Sequence, residues 1–238
     1  MRTSSKWIVA AAGFVGLATS SSGALAQERT NQSSYFAEPV RAPKDAFELG
    51  VGAAYSQGMT APAAGLGATD LTKAGGAFTL HAGYRFSPEF GLHLFGEYDE
   101  FNPGNTLSTE AATRGGVAGI SGTLHFLPYY RVDPWVRLGT GYRMLWVTGD
   151  ANTPDNRWHG FQLAKLDVGA DIRTSEDVAI GPTIGVGLSQ FSWINPSGEA
   201  GNTEIADKRV VPFVYAGIEA KFDFAGTRRR ALADIATR

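Results

Sequence analysis

The sequence predicts an all-β fold: a closed antiparallel transmembrane β-barrel of about eight strands, with short turns at one rim and longer loops at the other. Three observations carry that expectation. Apolar residues occupy every second position in runs long enough to cross a bilayer as tilted strands, which takes about 9–11 residues. The connections between runs alternate in length. Aromatic residues gather at both ends of the apolar faces.

The chain opens on an export pattern. Arg2 and Lys6 precede a short apolar core, Trp7 to Ala18, and Ala24-Leu25-Ala26 forms an A-x-A cleavage site. Residues 1–26 therefore read as a secretory signal peptide, too short in its apolar part to span a membrane as a helix. Residues 27–45 are polar, with Pro39 and Pro43, and read as a periplasmic lead-in without regular structure. Removing Arg2 and Lys6 from the 21 basic residues leaves 19 against 23 acidic ones, a balance that argues against a nucleic-acid partner. There is no cysteine, which excludes disulfides, thiol chemistry and a lipidated cysteine anchor. Hydrophobic content is 43%, and no later segment has 18 consecutive apolar residues, so no helical span is expected.

Residues 46–224 hold the alternating runs. In the first, Phe47, Leu49, Val51, Ala53 and Tyr55 share one face, with Glu48, Gly50 and Gly52 opposite. Phe78, Leu80, Ala82, Tyr84 and Phe86 then stand against His81, Gly83 and Arg85, and Phe90, Leu92, Leu94 and Tyr98 against His93, Phe95, Glu97 and Asp99. The fourth run opposes Ala118, Ile120, Leu124 and Phe126 to Ser121, Thr123 and His125; the fifth opposes Val136, Leu138, Tyr142, Met144 and Trp146 to Arg137, Gly139, Gly141 and Arg143. In the sixth, Leu166, Val168, Ala170 and Ile172 stand against Lys165, Asp167, Gly169, Asp171 and Arg173. In the seventh, Val178, Ile180, Ile184, Val186 and Leu188 stand against Gly181, Thr183, Gly185 and Gly187. The eighth is the clearest: Val210, Pro212, Val214, Ala216, Ile218, Ala220, Phe222 and Phe224 alternate with Tyr215, Gly217, Glu219, Lys221 and Asp223.

The connections 87–89, 128–133 and 174–177 are short, while 58–74, 102–113, 149–155 and 195–208 are longer and rich in Gly, Pro, Asn and Thr. Short periplasmic turns and long extracellular loops fit this arrangement. On that topology Phe47, Tyr84, Phe86, Phe90, Phe126, Tyr129, Tyr130, Phe222 and Phe224 form a periplasmic girdle. Tyr55, Phe78, Tyr98, Trp146, Trp158 and Trp193 form an outer one.

On these features the chain resembles the small outer-membrane β-barrel families, of the OmpA-transmembrane, OmpX and OmpW kind. The resemblance covers residues 45–224 and implies residence in a bacterial outer membrane as a monomer in contact with its lipid. It also implies that the last strand, through Ala216, Ile218, Ala220, Phe222 and Phe224, is an assembly signal read by the barrel assembly machinery. The polar tail 225–238, with Arg228-Arg229-Arg230, continues past the Phe at which such proteins usually stop, and reads as lacking regular structure.

The inward face gathers Arg85, Arg137, Arg143, Lys165, Arg173 and Lys221 against Glu48, Glu97, Asp99, Asp167, Asp171, Glu219 and Asp223. Buried charges must pair, so the simplest expectation is a salt-bridged plug, with Glu48 meeting Lys221 across the seam of first and last strands. The inward glycines leave open a narrow porin-like pore or a hydrophobic-solute conduit. A soluble lipocalin-like barrel, apolar face inward, is a third reading. No G-x-S-x-G or H-E-x-x-H occurs, so neither enzyme activity nor a metal or other cofactor is expected. Lipopolysaccharide is an expected contact of the outer-loop cations Lys73, Arg114, Arg157, Lys208 and Arg209.

Overall fold

The computed structural model describes residues 42–63, 67, 70–105, 107, 111–149, 155–196 and 201–228. The signal segment, most of the lead-in and residues 229–238 lie outside the described residues.

Alternation becomes strand wherever it was read. The strands are β1 (Ala46–Gly58), β2 (Thr72–Arg85), β3 (Phe90–Pro103), β4 (Ala112–His125), β5 (Val132–Thr148), β6 (Asn156–Arg173), β7 (Val178–Pro196), the two-residue β8 (Thr203–Glu204) and β9 (Val210–Phe224). β1 to β7 pair antiparallel in sequence order, β7 pairs β9, and β9 pairs β1 to close the ring. The result is a closed eight-stranded antiparallel barrel, with β8 outside the ring as a short addition to β7. Closure removes every free edge but leaves an interior just wide enough to be filled by side chains.

The side chains are distributed inside out relative to a soluble protein. Leu94 is 66% exposed and Ile218 58%, whereas Arg143 is 0% and Arg85 1% exposed. This overturns the lipocalin-like reading, which needs the apolar face inside. On the outer wall a chain of rings marks the short-turn rim: Phe47 meets Tyr84 edge to face at 5.2 Å, Tyr84 meets Phe86 at 5.0 Å, and Phe86 stacks on Phe90 at 6.4 Å.

At the long-loop end the interior turns apolar. Phe101, Leu145, Val147, Trp158, Phe191, Ile205, Val211, Phe213 and Tyr215 form one buried cluster, with Leu71, Leu107 and Ile194 packed against it. This corrects the placement of Trp158 in the outer girdle. β6 carries a bulge between Gln162 and Ala164, opposite Thr140 of β5 and Leu188 of β7. One extra residue inverts the alternation: Lys165, Asp167 and Asp171 point inward at odd positions, Trp158 and Gln162 at even ones.

The segments just before β1 and just after β9 meet beneath the short-turn rim. Lys44 and Thr227 exchange backbone hydrogen bonds of 2.8 and 2.7 Å, continuing the β1–β9 register past positive φ values at Asp45 (56°), Ala225 (61°) and Gly226 (90°). Gly226 has to be glycine: a Cβ there would stand 2.7 Å from that of Ala46. The bend carries the chain across the mouth, where Ala42 N donates to Pro128 O at 2.7 Å and Pro43 is fully buried. Arg228 pairs with Asp177 of the β6–β7 turn. The lead-in and the tail, expected without regular structure, are thus ordered at 42–45 and 225–228, because each supplies the other's backbone partner.

Candidate functional site

The site is the lumen, built in three tiers. Each strand contributes inward positions two residues apart, about 7 Å along the strand, so charges at successive inward positions sit at different heights.

The lowest tier lies nearest the short turns. Arg85 on β2 donates to Glu48 on β1 from Nε (3.1 Å) and Nη2 (2.5 Å) and to Pro88 O (3.0 Å), and stands 3.9 Å from Asp223 on β9. His93 Nε2 on β3 approaches the other oxygen of Glu48 at 3.0 Å. Arg173 on β6 donates to Asp223 at 2.9 Å, and Lys221 on β9 to Asp171 on β6 at 3.0 Å. The expected Glu48–Lys221 seam pair is not among the ion pairs of the described residues. The register sets Glu48 opposite Asp223 and Lys221 opposite Gly50, so Glu48 pairs instead with Arg85 on the neighbouring β2, and Lys221 reaches past β7 to Asp171 on β6.

In the middle tier Arg137 on β5 reaches Glu219 on β9 through Nη1 (2.9 Å) and Nη2 (2.6 Å). It also reaches Thr123 Oγ1 (3.1 Å) and His81 Nε2 (3.0 Å). One ring serves two cations: Arg137 and Lys221 lie 4.6 and 4.1 Å from the Trp135 ring centre. In the upper tier Arg143 donates to Glu97 (2.6 Å), Asp99 (3.1 Å), Gln162 Oε1 (3.2 Å) and the Tyr215 hydroxyl oxygen (2.5 Å), and covers the Phe213 ring at 3.9 Å. Lys165 pairs with the second oxygen of Glu97. Asp167 is buried beside these groups and packs over Gly185.

The inward glycines hold neighbours rather than a gap. A Cβ at Gly185 would stand 2.1 Å from Asp167 Oδ1, at Gly187 2.4 Å from Gln162 Nε2, and at Gly169 2.5 Å from the Trp135 ring. Their missing side chains are the space into which long polar side chains fold.

His125, Asp133 and Asp171 bring ligating atoms within 4.8 Å of one another. They do not suit a cation. Asp133 already takes the Leu127 N–H (3.0 Å) and lies 2.8 Å from His125 Nδ1. Asp171 takes Trp135 Nε1 (2.7 Å) and Lys221. All four carboxylate oxygens have partners, and Lys221 and Arg173 already supply positive charge.

Ala216, Ile218, Ala220, Phe222 and Phe224 lie on the outward face of β9, opposite Tyr55, Ala53, Val51, Leu49 and Phe47. The reading of the sequence missed the apolar tier above the charges. Its signal was present: Val210 to Tyr215 is apolar on both faces, so a strand end packed on both sides was legible there.

No family model matches the chain, and no curated protein matches its sequence. Solved structures do. Neisserial surface protein A superposes with a TM-score of 0.54 at 13% identity, over 75% of this chain and 97% of that one. The outer membrane protein OprG from Pseudomonas aeruginosa gives 0.50 at 15% identity, over 79% and 100%. This is the fold of the small outer-membrane β-barrels. At these identities the likeness is one of architecture, and the lumen described above is this chain's own.

Proposed function

We propose that the protein is an integral component of a bacterial outer membrane and serves there as a closed barrel, with a structural or surface-interaction role carried by its rims and loops. The observation that carries this reading is the exterior: an aliphatic belt between two aromatic girdles, around a core of paired ions. Water would not tolerate that exterior, while hydrocarbon suits it. The export pattern at residues 1–26 and the outward assembly face ending in Phe224 support delivery by secretion and insertion by the assembly machinery. The likeness to a bacterial surface protein and to an outer-membrane protein supports the location.

Within this reading the barrel acts without conducting, as a monomer and without catalysis. Support comes from the three-tier filling and the apolar tier above it. His159 lies outside the lumen, held by Tyr142 at 2.5 Å and stacked on Trp193 at 5.5 Å rather than set beside a nucleophile. Lipopolysaccharide phosphates are the partners that the exposed cations of the long-loop rim favour.

The test is electrophoresis of detergent-folded protein with and without boiling, followed by planar-bilayer recording. A compact, heat-labile band and no stepwise current are expected. Steady single-channel steps would overturn the closed reading in favour of a small channel, and a protein soluble and monodisperse without detergent would overturn membrane residence.

A further inference from the structure

One row of outward residues at the long-loop rim differs from the rest of the wall. Register places Arg114 on β4 opposite Trp146 on β5, and Trp146 opposite Arg157 on β6. Both arginines are exposed, and among the described residues neither makes an ion pair or side-chain hydrogen bond. Glu100, across β3–β4 from Arg114, is exposed but forms no ion pair with it; Asn195 flanks Arg157 on β7 and bonds to Asn202. Of the other candidate cations of the long-loop end, Lys208 is already taken by Glu204, while Lys73 and Arg209 are exposed but lie outside this row.

The row directly below is the aromatic girdle at its densest. The Trp146 ring lies over Gly116, where a Cβ would come within 3.1 Å of it. Tyr142, His159, Phe161 and Trp193 form a connected box: Tyr142 to Phe161 at 5.6 Å, Phe161 to Trp193 at 6.0 Å, and His159 stacked on Trp193. Unpaired guanidinium groups immediately above an interfacial aromatic belt stand at headgroup height. The short-turn rim has no counterpart among the described residues. Its Arg85, Arg131 and Arg173 are buried, and Arg228 is paired with Asp177. Among the described residues, only the long-loop rim offers free arginines to the membrane.

We propose that Arg114 and Arg157, flanking Trp146, bind the phosphates of a multiply phosphorylated lipid headgroup of the outer leaflet, with the Tyr142–His159–Phe161–Trp193 box packing against the lipid beneath. The argument for this occupant is charge complementarity together with height. Two strands apart, at about 4.8 Å per strand, the arginines are spaced by about 10 Å, so each addresses its own phosphate. The planar five-donor fork of arginine suits that task better than lysine. The inference rests on membrane residence as proposed above and names the lipid class that this wall selects.

The experiment compares the wild-type protein with Arg114→Gln, Arg157→Gln and the double variant, each folded into phosphatidylcholine nanodiscs. The nanodiscs contain either hexa-acylated bisphosphoryl lipid A or the same lipid without phosphates, and lipids retained on detergent extraction are counted by native mass spectrometry. The expected result is preferential retention of the bisphosphoryl lipid by wild type, weakened about ten-fold by each single change, the size of one charge-assisted hydrogen-bonded contact. A heat-labile compact band is expected from all four proteins. Equal retention by wild type and double variant, or no preference for the phosphorylated lipid, overturns the inference while the compact band leaves membrane residence standing. Displacement of the lipid by soluble polyphosphate at matched phosphate concentration overturns the choice of a lipid over a soluble polyanion. Failure to enter nanodiscs overturns both this site and the proposed location.

Discussion

Arg137 on β5 and Glu219 on β9 meet across the lumen, two guanidinium nitrogens on two carboxylate oxygens at 2.9 and 2.6 Å, although their strands are not neighbours in the sheet. Arg143 to Glu97, Lys165 to Glu97, Lys221 to Asp171 and Arg173 to Asp223 likewise join strands that share no ladder. Ladder hydrogen bonds hold the wall as a cylinder; these pairs brace it from within, spanning one or two intervening strands. They also fill lumen volume, so the side chains that brace the wall are the ones that pack its interior.

Removing one member of such a pair strands the other in the interior. Glu219→Leu leaves the Arg137 guanidinium without its carboxylate and should cost about 3–5 kcal/mol, and Arg137→Met should do the same to Glu219. The double variant should cost much less than the sum, because neither charge remains. Urea unfolding of vesicle-inserted protein, followed by gel mobility, measures all three. Additive losses would show that the pair does not act as a unit.

The interior and exterior of the wall should respond oppositely to added side chains. Gly169→Ala puts a methyl within 2.5 Å of the Trp135 ring and 2.6 Å of Pro182 O, and should destabilise by about 1–3 kcal/mol through overpacking. Gly96→Ala, on β3, has nothing within 4 Å of the new Cβ and should be neutral or stabilising by about 0.5–1 kcal/mol. The same unfolding measurement separates them. Equal effects would contradict the packing of Trp135 over Gly169.

Much of this could be read from residues alone, and the failures have a common cause. Alternation fixes which face a side chain takes, so the inward set from Glu48 to Asp223 and the outward set from Phe47 to Phe224 were legible. It carries no height. Glu48 and Lys221 both lie near the ends of adjacent strands, yet register puts Asp223 opposite Glu48, and the pairing follows from register. Alternation also fails silently at a bulge: Trp158 reads as outward when counted back from Leu166, and the extra residue near Ala164 turns it in. The order at Lys44 and Thr227 was not visible because a backbone-to-backbone bond leaves no side-chain signature.

Ile218 sits midway along β9, outward, opposite Ala53 on β1 and Pro182 on β7. Ile218→Arg should cost about 2–4 kcal/mol in a bilayer, the penalty for a cation on the lipid face near mid-depth. Trp146→Arg, at the rim row, should cost no more than about 1 kcal/mol for the charge itself, since the penalty fades toward the interface. Reversible folding into phosphatidylcholine vesicles compares the two. A neutral Ile218→Arg would mean that this face does not meet hydrocarbon.

The terminal ribbon makes a prediction independent of the membrane. Lys44 and Thr227 exchange both backbone hydrogen bonds, which places their Cα atoms about 5.5 Å apart in an antiparallel pair. That spacing lies within the range a disulfide spans, about 4.4–6.8 Å. The chain has no cysteine of its own, so a K44C/T227C variant can form only this bridge within one molecule. Oxidation should give a faster, dithiothreitol-sensitive band after boiling, because the link closes a loop of nearly the whole barrel and keeps the denatured chain compact. Neither single variant should show it. Moving the second cysteine to Ala225, which lies at the bend rather than across from Lys44, should sharply reduce the yield. Equal yields from both double variants would mean that the ends meet by diffusion and not as a paired ribbon.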